Sequence, residues 1–475
     1  MRKPEYIAES HLFYHDNTRR PRVDRAEGVW LWDVNGRRYL DASSGAMVSN
    51  IGHSNPRVLE AMKRQMDKAT FAYRLHFESA PAEELAALTA SLMPKGVDRI
   101  FFVSGGSEAI ESCLKLARQY ALATGEPRRS KIISLFPSYH GSTLGAAAVT
   151  GMYPFVEPFR DMIRVMPKIP AATCYLDRDS LTHEERGLRY AEYLRDEIIR
   201  QGPDTVLAFI MEPVGGASTG ALVPPDSWYR RVQEICREFG VLLIADEFMS
   251  GAGRTGRFLA GEHWDLQPDI IALAKGLAAG YAPLGAMAAR RQIVTAVTNN
   301  GGFAHGYTYA GNPLACTAGL AVTRELLEQN LMANAERQGR NLRARLGSLM
   351  QRYPFIGDVR GKGLLLAFEL VSDRETMQPL DPAMNAHLAL VEEAYSRGLI
   401  IYSRRTRGGT VGDHFMVCPP LTITDAEIEE LMAMLVASLD AFAAAHGLPV
   451  EARLTGDKDP DAAVARGTGS YTSNG

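Results

Sequence analysis

Three short runs constrain the fold of this chain more than any other feature: "VLAFIM" from Val206, "VLLIA" from Val241 and "IIALA" from Ile270. Each is almost continuously apolar, the pattern of a strand covered on both faces in a mostly parallel sheet. Each also ends in charge, with Glu212 after the first, Asp246 and Glu247 after the second, and Lys275 after the third. Ligands of open α/β sheets bind beyond the carboxyl ends of the strands. The repetition therefore predicts a site at that edge, where "IIALAKGLAAG" sets one amine between an apolar strand and a glycine.

The same alternation of apolar run, turn and helix-period segment extends from residue 97 to 290 and predicts an α/β fold. In "RIFFVSGGSEAIESCLKLARQYALATG" a strand over 100–103 precedes Ile110, Cys113, Leu114, Ala117 and Ala121 at helical spacing, and Gly125 is the expected stop. Beyond about residue 315 the pattern changes. Leu342, Leu346, Leu349 and Tyr353 mark a long amphipathic helix, "VRGKGLLLAFELV" reads as a strand, and "TDAEIEELMAMLVASL" opens with a Thr424–Glu427 capping box. In that last helix Ile428, Leu431, Leu435 and Leu439 supply the buried stripe. A second domain is expected there, followed by a polar tail over 447–475.

With 52 basic against 55 acidic residues, a formal charge of -3, no field points to nucleic acid or an anionic membrane. The five cysteines form no C-x-x-C pair, which argues against a disulfide framework or a zinc site. The amino terminus lacks the apolar core of a secretory signal, and no apolar stretch is long enough to span a bilayer. These features predict a cytoplasmic protein acting on small molecules.

A lone lysine at a strand end is most often a snorkelling side chain. Its company changes the reading, because a desolvated lysine has a lowered pKa and can form a Schiff base with a carbonyl. Pyridoxal phosphate works best with its pyridine nitrogen protonated, which calls for a buried carboxylate, and Asp246 suits that role. "SGGSEA" offers glycines for close approach, the Ser107 hydroxyl and a helix N-terminus for a phosphate. "FPSYHGST" places Tyr139 and His140 in a loop after "KIISLF", where an aromatic ring could stack on a cofactor plane. His140 has no Cys or acidic neighbour at ligand spacing, so no metal is expected.

These motifs, in this order, resemble the class III aminotransferases, a pyridoxal-phosphate-dependent family. The resemblance runs from "GVWLWDVNGRRYLDASSGAMVSNIGHSNPRV" through "SGGSEA", "SYHG", "MEPVGG", "IADEFMSGAGRTGRF", "DIIALAKGLAAGYAPLGA" and "GYTYAGNPLACTAG" to "CPPLTITDAEI". It implies the type I fold of pyridoxal-phosphate enzymes, with a large cofactor domain over 61–320. A smaller α/β domain would be built from both chain ends, 1–60 and 321–446.

The resemblance also implies roles. Lys275 matches the family's Schiff-base lysine, Asp246 the carboxylate on the pyridine nitrogen, Gly106 and Ser107 the phosphate loop, Tyr139 the stacking aromatic, and Glu212 a carboxylate near the ring. Thr308 matches the hydroxyl that reaches the cofactor phosphate of a second subunit. The resemblance thus implies a homodimer with shared sites and leaves pairing into a tetramer open. It implies an amine donor and a keto acid, pyruvate or 2-oxoglutarate, as partners in a ping-pong reaction. The family also holds an aminomutase and a decarboxylating transaminase. A non-catalytic cofactor-binding scaffold is opposed by the joint presence of Lys275, Asp246 and the phosphate loop.

Three departures from the family pattern stand out. Phe248 replaces a valine against the cofactor ring. Gly105 replaces a hydroxyl residue of the phosphate loop. In "IIYSRRTRGGTVGDHFMVCPPL", Arg404, Arg405 and Arg407 compete for the substrate carboxylate, for which a guanidinium fork is the suitable clamp. Arg407, beside two glycines that could let it swing, is the expected clamp. Met47 and Phe77 are expected to join Tyr139 in the donor pocket, with Met47 standing where some ω-amine transaminases have a tryptophan. Gly276 is expected to leave Lys275 room to swing aside.

Overall fold

The computed structural model describes residues 10–15 and 19–451, so most of the expected tail, 452–475, lies outside the described residues. In chain order the strands are β1 (Val23–Glu27), β2 (Trp30–Asp33), β3 (Arg38–Asp41), β4 (Val97–Val103), β5 (Lys131–Phe136), β6 (Lys168–Pro170), β7 (Val206–Met211) and β8 (Leu242–Asp246). They continue as β9 (Ile270–Leu273), β10 (Gly285–Arg290), β11 (Ile356–Lys362), β12 (Leu365–Asp373), β13 (Gln378–Pro379), β14 (Leu399–Ile400), β15 (Tyr402–Arg407) and β16 (Val411–Val417).

The central sheet has the order β4-β10-β9-β8-β7-β5-β6. Strands β5 to β9 pair in parallel, and β10 alone runs antiparallel to both its neighbours. Every residue of β7 and β9 is buried, as their unbroken apolar sequence requires when helices cover both faces. The register sets the site. Met211 lies opposite Ala245, and Asp246 lies opposite Ala272, so Glu212, Asp246 and Lys275 emerge at one edge of adjacent strands.

Strand β4 leads through Ser104 and Gly105 into the helix Gly106–Ala123, whose buried side contains Ile110, Cys113, Ala117 and Ala121. Leu114 is only partly buried, at the margin of that side. Gly125 takes a positive φ of 79° just past the helix, a conformation that glycine adopts without a Cβ penalty.

The two chain ends meet in a second sheet, β1-β2-β3-β14, in which β14 pairs in parallel with β3. A third, antiparallel sheet has the order β11-β12-β16-β15, with β13 on the side of β12. The expected single strand in "VRGKGLLLAFELV" is a hairpin of β11 and β12 that turns at Gly363 (φ 56°). A Cβ at Gly363 would lie 2.5 Å from the Thr255 backbone, so only glycine lets the two segments touch. The helix Asp425–His446 opens with the Thr424–Glu427 capping box, and Ile428, Leu431, Leu435 and Leu439 are fully buried. Among the described residues no helix is long and apolar enough to cross a membrane.

One buried arginine ties these parts together. The Arg254 guanidinium, wholly inaccessible, donates to the Leu364 and Pro419 carbonyls, to Ser44 Oγ at 3.2 Å and to Asn50 Oδ1 at 2.7 Å. It joins the amino-terminal segment, the loop after β8 and the carboxyl-terminal region, with no carboxylate partner among the described residues. Burial lowers its pKa to about 10, so it stays charged at neutral pH. Replacing it leaves several buried acceptors unpaired, each costing about 1–3 kcal/mol. Arg254→Leu is expected to lower stability by at least about 3 kcal/mol, read as a lower urea midpoint. An unchanged midpoint would show that these acceptors are satisfied without it.

Candidate active site

Beyond the carboxyl edge lies a cavity of about 440 Å³, within the usual range of about 300–1,000 Å³ for small-molecule sites. Lys275, Tyr139, Phe248, Gly105, Gly106 and Ser107 all line it. Strand β9 ends two residues before Lys275, whose backbone is in the left-handed region at φ 47°. Such a conformation costs a residue with a Cβ about 1–3 kcal/mol and is concentrated at functional sites. The amine stands 5.7 Å from the Phe248 ring centroid, within cation–π range. Desolvation lowers the Lys275 pKa, partly offset by the negative charges of Asp246 and Glu212. The amine is thereby brought closer to the neutral, nucleophilic form at physiological pH.

Asp246 is 3% exposed and held on both oxygens. His140 Nδ1 lies 2.8 Å from Oδ2, and the Phe248 backbone N–H donates to Oδ1 at 3.0 Å. The sequence singled out His140 only to discount a metal; its role as the partner of Asp246 came from the pairing of β5, β7 and β8, which spacing does not reveal. Glu212 accepts from the backbone N–H groups of Tyr139 (3.3 Å) and Gly216 (3.0 Å), fastening the Tyr139 loop to β7. Burial raises the Glu212 pKa, with Asp246 adding to the rise and His140 opposing it.

At the other end the helix starting at Gly106 presents first-turn N–H groups, which have no partners within a helix. Ser107 Oγ accepts from the Ser142 N–H at 3.0 Å, leaving its own proton to donate. A Cβ at Gly141 would lie 2.6 Å from that oxygen, so the Tyr139 loop and the first turn of the Gly106 helix meet through glycine. Gly106 has a second role, because a Cβ there would lie 2.9 Å from the Phe248 ring. The larger side chain at 248 thus fits because residue 106 has none.

The donors suit pyridoxal phosphate: anion-binding N–H groups and a hydroxyl at one end, an aromatic wall, an amine, and at the buried end a carboxylate with two donors already in place.

Several expected residues lie elsewhere. Met47 is 1% exposed and packs with Val214, Ala221, Leu365 and Met416, while its neighbour Val48 lines the cavity. The turn through Gly45 and Met47, both at positive φ, directs the methionine into the core. Phe77 is 70% exposed and absent from the cavity wall. Thr308, expected to reach a second subunit, is exposed. Gly276 does not provide swing room for the lysine, because a Cβ there would strike the Asn50 amide at 2.2 Å.

The arginines separate by their partners. Arg405 pairs with Asp413 at 3.1 Å, and Arg407 donates to the Met377 carbonyl at 2.6 Å. Strands β15 and β16 form a hairpin, and the glycines after Arg407 dock its tip: Cβ atoms at Gly408 and Gly409 would lie 2.6 Å from the Phe136 ring and 2.8 Å from Pro154. They serve close packing, not the swing of Arg407. Arg404 instead stands 4.6 Å over the Tyr402 ring, and Tyr402 lies within electrostatic reach of Tyr139. Among the described residues no carboxylate pairs with Arg404.

The family model for class III aminotransferases matches residues 14–439. The chain belongs to the class III aminotransferases. It is an enzyme that transfers amino groups with pyridoxal phosphate as cofactor. The chain is 42% identical over 417 residues to the uncharacterised aminotransferase YodT of Bacillus subtilis, covering 87% of this chain and 94% of that one. It is 33% identical to the putrescine–pyruvate aminotransferase of Pseudomonas aeruginosa over 89% of this chain and 91% of that protein. Its structure matches an (S)-enantioselective ω-transaminase of Thermomicrobium roseum with a TM-score of 0.86 at 36% identity, covering 91% and 96% of the two chains. The α/β fold is that of the type I pyridoxal-phosphate enzymes.

The opposing causes acting on Lys275 lead to a signed expectation. In the cofactor-free protein, labelling of Lys275 by an amine-selective electrophile should persist to lower pH than at exposed lysines. Asp246→Asn removes a charge that favours the ammonium and should move the labelling midpoint lower still, measured by mass spectrometry across pH. A shift upward would mean that Asp246 does not bear on the amine.

Proposed function

We propose that this aminotransferase takes an ω-amino acid or a primary amine as donor and pyruvate or 2-oxoglutarate as acceptor. The observation that carries the donor reading is Arg404, which donates to the Ser403 carbonyl at 3.2 Å and has no carboxylate partner among the described residues, on the strand β15 that bears Tyr402, near Tyr139. The functions named for relatives, a putrescine–pyruvate aminotransferase and probable γ-aminobutyrate transaminases, support donors whose amine is remote from any carboxylate.

When bound, pyridoxal phosphate supplies an aldehyde to receive the amino group and a ring that withdraws electrons from the adjoining carbon. In this reading Lys275 Nζ anchors the cofactor and, once released, moves a proton as general acid and base. Asp246, oriented by His140, holds the pyridine nitrogen in its protonated form. Gly105, Gly106 and Ser107 bind the phosphate, Tyr139 and Phe248 wall the ring, and Glu212 fixes the loop that carries Tyr139. Arg404 takes the carboxylate role in place of Arg407.

The division into a large cofactor domain and a smaller domain from both chain ends is part of the same reading, supported by the pairing of β14 with β3. So is a homodimer. Phe71, Leu75, Phe77 and Tyr309 are exposed apolar side chains, and the Phe71 and Tyr309 rings lie 5.9 Å apart beside Thr308. A second copy covering this patch would bring Thr308 to the neighbouring phosphate. Sedimentation equilibrium should therefore give a dimer, and a monomer at micromolar concentration would remove the role of Thr308.

Donor screening against both acceptors tests the substrate class, and product from α-amino acids alone would sink it. A single substrate turned over without keto acid would identify an aminomutase, and release of carbon dioxide a decarboxylating transaminase. Arg404→Leu should raise KM for an ω-amino acid roughly ten- to a hundredfold, the loss of a charged hydrogen bond, and leave KM for an uncharged-tail amine unchanged. Arg407→Leu should change neither. Lys275→Ala should abolish turnover.

A further inference from the structure

Behind the hairpin tip lies a second cleft of about 410 Å³ that shares no lining residue with the Lys275 cavity. Its walls include Phe136, Met152, Val156 and Ile169, and Lys168 opens into it. The Lys168 amine donates to the carbonyls of Ala148 at 3.1 Å and Met166 at 3.2 Å. An ammonium has three donors, so one remains. Arg160 at the rim is paired with Glu157 at 2.8 Å, and no carboxylate among the described residues pairs with Lys168.

Tyr153 and Arg160 are the other ionisable groups among the described residues lining the cleft, and Arg160 is the one that acts on Lys168. Burial, with the positive charge of Arg160, lowers the Lys168 pKa to about 8, so the group is still mostly ionised at pH 7. A desolvated cation without a counter-charge, at the end of an apolar cleft, is stabilised by an anion that carries a hydrocarbon body.

We propose that this cleft binds a small apolar monocarboxylate, with its carboxylate on Lys168 Nζ and its hydrocarbon against Met152, Val156 and Ile169. The site is joined to the catalytic hairpin through its own wall. A Cβ at Gly408 would lie 2.6 Å from the Phe136 ring and 3.0 Å from the Tyr153 ring, which contact each other at 5.0 Å between centroids. The Tyr153 N–H also donates to the Gly408 carbonyl at 3.1 Å. An occupant packed against these rings holds the tip of the hairpin that bears Arg404.

Calorimetry on the holoenzyme at pH 7 with hexanoate, hexanamide and acetate tests the site without any reliance on turnover. Hexanoate should bind, and the amide and acetate should each bind roughly tenfold more weakly or worse, having lost the charged hydrogen bond or the apolar contact. Lys168→Met should weaken hexanoate by roughly tenfold or more, Lys168→Arg should restore it, and Arg404→Leu should leave it unchanged. Above pH 8 the affinity should fall by up to roughly tenfold per unit, because the free amine loses its proton. Full hexanoate affinity in Lys168→Met, or its loss in Arg404→Leu, would overturn the proposal. Hydrogen exchange at the Tyr153 amide should slow with hexanoate bound; unchanged exchange would sever the link to the hairpin.

Discussion

The site depends on holding one primary amine and two carboxylates together at the edge of an apolar sheet. Desolvation disfavours charge there, lowering the Lys275 pKa and raising that of Glu212. Asp246 and Glu212 each moderate the effect on Lys275. Backbone N–H groups and His140 supply the hydrogen bonds that let buried carboxylates persist. The same parallel strands that bury β7 and β9 on both faces create the dry edge, so the fold and the lowered pKa of Lys275 share one cause.

Around that edge, close approaches through glycine replace side-chain bulk. Gly106 admits the Phe248 ring, Gly141 admits the Ser107 hydroxyl, and Gly408 and Gly409 seat the distal hairpin on Phe136 and Pro154. Arg254 holds the outer segments to the loop after β8 from within. The catalytic edge is therefore supported from both chain ends, which explains how residues so far apart in sequence come to flank one cavity.

Much of this was legible beforehand. Unbroken apolar runs of four to six residues, ending in Glu212, Asp246 and Lys275, can be satisfied only by strands buried on both faces. The "SGGSEA" turn, the helix after it and the Thr424 capping box are local signals, set by backbone chemistry within a few residues. The structure departs from the sequence expectation where placement depends on which way a side chain turns. Met47 enters the core because its backbone adopts positive φ, Gly276 accommodates Asn50 and not a moving lysine, and Arg407 is engaged by the Met377 carbonyl.

Sequence alone determined the strand–helix alternation, the family and the identity of the groups at the sheet edge, because periodicity and motif spacing encode local burial and backbone shape. Tertiary structure decided that His140 serves Asp246, that Val48 and not Met47 faces the cavity, and that Arg404 lies over the Tyr402 ring while Arg405 pairs with Asp413 and Arg407 with the Met377 carbonyl. Those outcomes turn on strand register and on contacts between segments hundreds of residues apart, and no local pattern carries information about either.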